Sequence, residues 1–188
     1  MSKQTVSNDN SVMAFATAHL DEAGQGIVLV ARSAGKTQVN VVTFFVDVHC
    51  LGIRRVTQAT LPVAALLNKL LPALHVEYAT EPVAVEIARG IVEGAATYAK
   101  KLGFTAAGTL AESMEIFDGI TAKTPPFAFG KEGMPFYTQQ PGDDEDFVEE
   151  TLAQLRKKCG EKGFGYELND LGEDWLDGED KDEAMDEE

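Results

Sequence analysis

The order of hydrophobic and polar positions predicts strands in the first third of the chain and helices after it. Residues 27–31 (IVLVA) form a compact β-branched run, typical of a buried strand. Residues 37–51 are rich in Val, Phe and Thr but too long for an average strand, which predicts a bend or a bulge. Residues 33–36 predict a hairpin loop between these runs. With a further short strand favoured at 13–20, the pattern predicts an antiparallel hairpin or three-stranded meander.

The later positions repeat at helical spacing. Pro62 is placed to open a helix that Pro72 closes, and Pro82 is placed to open a second helix that Gly103 terminates. The predicted helices cover residues 63–71, 83–102, 108–117 and 143–159. Because strands come first and helices follow without alternation, the fold class is predicted to be α+β, with the N-terminal meander packed against three to four helices.

Two details of these segments make specific predictions. Gly90 and Gly94 lie in the strongest helix, where each costs about 1 kcal/mol of helix propensity. Close packing of that helix face, against the sheet, is the simplest explanation. Residues 124–142 are predicted to be a loop, with a small hairpin between 127–129 and 136–138.

Charge divides the chain into three parts. The net charge of −15 is concentrated at the end, since residues 1–142 sum to −1 and residues 170–188 to −10. The prediction is a flexible N-terminus over 1–11, a single α+β domain over 12–165, and an acidic, mostly disordered tail over 166–188. A nearly neutral body makes nucleic-acid binding an unfavoured function, because phosphate neutralisation needs clustered basic residues.

The same composition bears on location and redox chemistry. No apolar run approaches the roughly 18 residues of a membrane span, and the first ten residues lack an apolar signal core. These features predict a cytoplasmic protein with no membrane association. The two cysteines, Cys50 and Cys159, are outside any CxxC pair and are predicted to be free thiols.

Known catalytic motifs are incomplete in this sequence. Residues 34–37 (AGKT) match the end of a phosphate-binding loop, but Val30 occupies the position of its first glycine and a β-branched run follows in place of a helix. A hairpin explains this segment better than nucleotide binding does. No cofactor is predicted.

Asp47 and His49 form the most informative pair of polar residues. In a continuous strand they share one face, about 7 Å apart. A carboxylate there can orient an imidazole or help to bind a divalent metal, which makes Asp47 and His49 the candidate catalytic residues. Arg54 and Arg55 follow and are candidate anion-binding residues. The simpler interpretation is a strand end with a satisfied ion pair.

The acidic tail contains a few apolar residues: Leu171, Trp175 and Leu176. Apolar residues in an acidic disordered run can dock on a partner and order there. The partner is then predicted to be a protein with an apolar groove and a basic rim. The alternative is that Trp175, the only tryptophan, folds back on the domain itself.

Several segments together resemble an uncharacterised bacterial protein family. They are Val30–Arg32, Val46–Asp47 with Cys50–Gly52 (a V-D-x-x-C-L-G motif), Gly94–Ala99 leading to Leu102–Phe104, and Phe129–Gly130 with Pro135–Tyr137. The resemblance covers roughly residues 26–160 and excludes the acidic tail. It implies a shared fold and a shared surface around residues 47–52, and no particular activity.

These observations favour a non-enzymatic protein-interaction module with an acidic docking tail. The alternative is a metal-dependent hydrolase of phosphorylated or nucleic-acid substrates, in which Asp47 and His49 act and Arg54 or Arg55 holds the anion. The sequence favours neither an enzyme nor a non-enzyme decisively, and it indicates no particular metal ion. Mimicry of nucleic-acid charge ranks last, and a homodimer is an open alternative.

Overall fold

A computed structural model describes residues 11–169 of the chain. Its centre is an antiparallel sheet with strand order β4-β3-β2-β1-β5. The strands are β1 (Val12–Thr17), β2 (Gln25–Ser33), β3 (Gln38–Asp47), β4 (Gly52–Pro62) and β5 (Thr80–Val83). The predicted α+β class with an N-terminal antiparallel meander is therefore confirmed.

Helices cover both faces of the sheet; α1 to α3 lie between its strands in the chain, and the later helices follow β5. They are α1 (Leu20–Ala23), α2 (Val63–Ala65), a π-helical stretch (Leu66–Leu70), α3 (Leu71–Tyr78), α4 (Val85–Leu102), α5 (Leu110–Ser113) with a 3₁₀ turn (Met114–Phe117), and α6 (Glu145–Cys159). Asp144 caps α6, since its carboxylate accepts a hydrogen bond from the Phe147 amide at 2.9 Å. Within residues 11–169, no helix combines the length and hydropathy needed to cross a membrane.

Alternate residues of β3 point to two different apolar layers. Val42, Phe44 and Val46 pack with α4 and the 3₁₀ turn, whereas Val39 and Val41 pack under Leu66 of the π-helical stretch. Burial on both faces explains the continuous apolar run of β2, because a sheet covered on both sides needs no polar alternation.

The predicted strand over residues 37–51 is shorter in the structure. β3 ends at Asp47, residues 48–51 form a turn, and Gly52 begins a strand that the sequence analysis missed. The predicted irregularity is present, as the pairing of β3 with β4 shifts register between Phe45 and Val46. β4 escaped detection because its outer residues are polar and mostly exposed.

Two prolines were assigned the wrong roles. Pro72 does not end the helix, which continues to Tyr78, because the π-helical stretch before it places Pro72 in the first turn of α3, where no amide bond is needed. Pro82 does not open α4 but lies in the edge strand β5, and α4 starts at Val85. Gly103 ends α4 with φ 92°, as expected.

The predicted hairpin between residues 127–129 and 136–138 is also wrong. Instead, β6 (Phe136–Thr138) pairs in parallel with β7 (Gly165–Glu167) in a separate two-stranded sheet. This pairing extends the folded body past residue 165, the predicted domain boundary. The predicted tail otherwise falls on residues 170–188, which lie outside the described residues, as do residues 1–10.

The glycines of α4 do mark close packing, but not against the sheet. A Cβ on Gly90 would lie 1.8 Å from the carbonyl oxygen of Lys123, and one on Gly94 would lie 2.3 Å from the Phe129 ring. The loop after the 3₁₀ turn therefore lies directly on this helix face.

We expect Gly90→Ala to lower the free energy of unfolding by about 1–3 kcal/mol, because the clash with backbone exceeds the gain of about 1 kcal/mol in helix propensity. Gly108→Ala is the matched control, since a Cβ there meets nothing within 4 Å. Urea denaturation of both variants measures the difference. Equal stability of the two variants would contradict the proposed packing of the loop on α4.

Candidate functional site

Asp47 and His49 do not share a strand face. Asp47 is the last residue of β3, His49 lies in the following turn, and the two side chains are 0% and 5% exposed. The Asp47 carboxylate reaches the backbone of His49 and not its ring, as Oδ1 accepts the His49 amide at 2.9 Å and the Cys50 amide at 2.8 Å. The expected surface pair is thus replaced by two buried side chains with separate partners.

Asp47 is needed here because the turn is buried. Val48 and Cys50 are both 0% exposed, so water is not at hand for their backbone groups. Other segments complete the pairing of the backbone groups. The Val48 amide donates to the carbonyl of Gly24. The Val48 carbonyl accepts from the Gly130 amide, and the His49 carbonyl accepts from the Phe136 amide. We call residues 47–52 the buried turn.

Burial has a cost for the Asp47 carboxylate. It raises the pKa of Asp47 to about 6, even though the amides of Cys50, Leu51 and His49 and the charge of Arg54 act to lower it. A raised pKa is a common feature of catalytic acids, but in this case its cause is enclosure within the fold.

His49 is held just as firmly. Its Nε2 lies 2.7 Å from the carbonyl oxygen of Asp21, so Nε2 carries a proton and donates it. Its ring lies against Gly24, where a Cβ would come within 2.3 Å of Nδ1. The imidazole therefore fixes the chain around α1 to the buried turn.

The cysteines near the turn are free thiols in the structure. Cys50 is fully buried, and burial raises the pKa of its thiol far above the usual range. A thiol in that state is a poor nucleophile, and Cys50 acts as an apolar residue in the core.

The register shift in the sheet determines where the two arginines lie. Phe45 pairs with Arg55 and Val46 pairs with Ile53, so Arg54 is the extra, unpaired residue of a β-bulge. Successive strand residues normally point to opposite faces. The bulge redirects this part of the chain, and both arginines line one pocket.

Arg54 is occupied by an ion pair within the fold. Its guanidinium donates to both carboxylate oxygens of Asp143, whose side chain is 4% exposed, and lies over the Phe147 ring at 5.4 Å. Asp143 also accepts the Tyr137 hydroxyl at 2.9 Å and the Gln140 amide at 3.0 Å. Although burial acts to raise it, these three partners hold the pKa of Asp143 below its usual value.

Arg55 is placed differently, on an aromatic pair. Its guanidinium carbon lies 3.8 Å from the centre of the Phe45 ring, and Tyr78 meets that ring edge-on at 6.1 Å. Among residues 11–169, no carboxylate forms an ion pair with Arg55, which is exposed. A stacked guanidinium keeps its donors free at the ring edge.

The pocket beside these residues has a volume of about 540 Å³, within the range of ligand sites. We call it the Arg55 pocket. It lies at the end of the sheet where β2 and β4 begin and β3 ends. Its lining comprises Gln25, Gly26, Phe45, Val46, Arg54, Arg55, Tyr78, Gln140, Gly142 and Asp143.

A second pocket of about 550 Å³ lies over the middle of β3 and β4. Its arginine, Arg32, donates to the backbone carbonyls of Ile116 and Asp118, and the acidic residues Glu112, Glu115 and Asp118 also line the pocket. This pocket is less suited to an anion, because three acidic residues line it beside one arginine.

Sequence reasoning found part of this site. It identified Arg54 and Arg55 but missed Phe45, Tyr78 and Asp143, which come from other elements. Leu171, Trp175 and Leu176, the candidate docking residues, lie outside the described residues. Within the part of the chain that is described, no three His, Cys, Asp or Glu side chains form a group able to hold a metal ion.

The fold and this pocket define the protein as an α+β domain with an open, arginine-bearing cleft at one end of its sheet. Comparison with protein-family models, with curated proteins and with solved structures found no match for the chain.

The pKa of Asp47 predicts an unusual pH dependence. Because the native state holds this proton more tightly than the unfolded state, the contribution of Asp47 to stability is lost as the pH rises from about 4 through about 6. Relative to Asp47→Asn, wild-type protein should lose on the order of 3 kcal/mol over this interval. Urea denaturation at a series of pH values measures it.

Asp47→Ala is the matched control, since it leaves the amides of His49 and Cys50 unpaired. Relative to Asp47→Asn, which also lacks the titrating carboxyl, we expect it to lower the free energy of unfolding by about 2–4 kcal/mol at every pH. A constant difference between wild type and Asp47→Asn across the series would contradict a buried, proton-binding carboxylate.

Proposed function

We propose that this protein is a non-enzymatic protein-interaction module whose folded body binds a carboxylate-bearing segment of a partner in the Arg55 pocket. The observation that carries the proposal is the arginine stacked on Phe45 at the mouth of an open pocket, with no carboxylate paired to it among residues 11–169. Its charge is available to a ligand, in contrast to that of Arg54.

The neighbouring groups suit a peptide that carries both acidic and apolar side chains. Phe45 and Tyr78 offer ring surface. The side-chain amide nitrogens of Gln25 and Gln140 donate within the fold, so these residues offer their side-chain oxygens as acceptors for a peptide backbone. Arginine can bind a carboxylate through two parallel hydrogen bonds, which fix its orientation as well as its position. Such a site selects for an acidic partner more than for a particular sequence.

The pocket offers little for catalysis. Asp143 is the one acid among its lining residues, and its carboxylate already binds Arg54, Tyr137 and Gln140. The hydrolase alternative stays a prediction, but no contact supports it, since Asp47 and His49 each bond to backbone groups. Docking of the acidic tail on a partner with a basic-rimmed apolar groove also stays a prediction.

Binding of fluorescein-labelled acidic peptides that contain one aromatic residue tests the proposal, with fluorescence anisotropy as the measurement on the full chain. We expect Arg55→Ala to weaken binding at least tenfold, a typical loss for a charge-assisted contact. The affinity of Arg55→Lys for the peptides should lie between those of wild type and Arg55→Ala, because lysine keeps the charge but not the stacking.

Lys36→Ala is the control, because it removes one exposed positive charge from the hairpin loop at the other end of β3. Peptides with Gln and Asn in place of Glu and Asp should bind neither the wild-type protein nor Lys36→Ala. An equal loss for Arg55→Ala and Lys36→Ala would reduce the interaction to general charge attraction and contradict the proposal.

A further inference from the structure

The described chain ends beside the Arg55 pocket. The amide of Asn169 donates to the side-chain oxygen of Gln139 at 3.1 Å, and the amide of Gln139 donates to the carbonyl of Glu167 at 2.9 Å. The next residue, Gln140, lines the pocket. Gln25, which also lines the pocket, donates to the carbonyl of Thr138 at 3.1 Å. Residues 138–140 thus join the chain's exit point to the pocket rim.

The residues that follow this exit have the chemistry that the pocket accepts. Residues 170–188 carry eleven acidic side chains and one lysine, a net charge of −10. Trp175, the only tryptophan of the chain, lies among these acids. The segment therefore offers carboxylates for Arg55 and a ring for Phe45 and Tyr78.

The connection is also short enough. Trp175 follows Asn169 by six residues, which span at most about 20 Å when extended. A segment tethered this closely to its site has an effective concentration in the millimolar range. A contact whose dissociation constant lies well below a millimolar is then largely formed.

We propose that residues 170–188 of this chain dock in their own Arg55 pocket, with a carboxylate on the Arg55 guanidinium and Trp175 against the aromatic wall. The acidic segment acts as a built-in competitor, which an acidic partner must displace. This inference rests on the proposed function, because it assigns the same pocket an occupant within the chain.

Trp175 reports on its own surroundings, since selective excitation of tryptophan in the full chain observes residues 170–188 alone. We expect the emission of the native protein to be blue-shifted, and its quenching by acrylamide to be weaker, compared with the same chain in concentrated urea. Arg55→Glu should move both values most of the way to those in urea. Far-UV circular dichroism checks that the exposed substitution leaves the fold intact.

Two further charge reversals locate the contact. Lys36→Glu changes the charge at the far end of β3, and Lys157→Glu changes it in the basic last turn of α6. Both should leave Trp175 unchanged. Native emission equal to that in urea, no response to Arg55→Glu, or an equal response to Lys157→Glu would each overturn the inference.

Dilution of the protein separates docking within a chain from exchange between two copies. Emission that is independent of concentration supports docking within one chain, whereas emission that shifts on dilution overturns it. Failure of this inference is distinguishable from failure of the proposed function. If Trp175 emission does not change in Arg55→Glu while binding of acidic peptides still requires Arg55, the built-in competitor is contradicted and the proposed function stands.

Discussion

The structure depends on a hairpin turn placed inside the protein instead of on its surface. A buried turn must pair every backbone polar group without water, and the carboxylate of Asp47 pairs the amides of His49 and Cys50. The outward carbonyls of the turn then receive amides from distant segments, Gly130 and Phe136. The turn also brings Gly52 against α4, where a Cβ would lie 2.6 Å from that of Ala99. One carboxylate thus supports contacts among the sheet, α4 and the later loops.

This constraint also determines which polar residues remain for function. Asp47 and His49 are used inside the fold, and Asp143 is used by Arg54, whose ion pair fixes the segment before α6 to β4. The bulge that accommodates Arg54 leaves its neighbour Arg55 on the surface, stacked on Phe45. Two consecutive arginines therefore have different roles: one holds the wall of the pocket, and the other faces it with its charge available.

More of the fold than of the candidate site can be predicted from the sequence. A continuous β-branched run predicts β2, and apolar residues at spacings of three to four predict α4 and α6, because both signals are local in the sequence. Sequence reasoning missed β4, whose outer face is polar, and misread Pro72, whose tolerance depends on the π-helical stretch before it. The predicted surface pair of Asp47 and His49 was wrong for a further reason. Whether Asp47 meets the imidazole or the amides of His49 depends on where β3 ends, and a shift of a few residues changes which face each side chain occupies.

Amide hydrogen exchange of the full chain, resolved by residue, tests the central role of Asp47 most directly. If its carboxylate holds the turn inside the fold, the amides of His49 and Cys50 exchange only on global unfolding, as slowly as those in the middle of β2. Exchange of these two amides as fast as that of Gly35 in the exposed hairpin loop would contradict this account, because it would show a turn that opens independently of the fold.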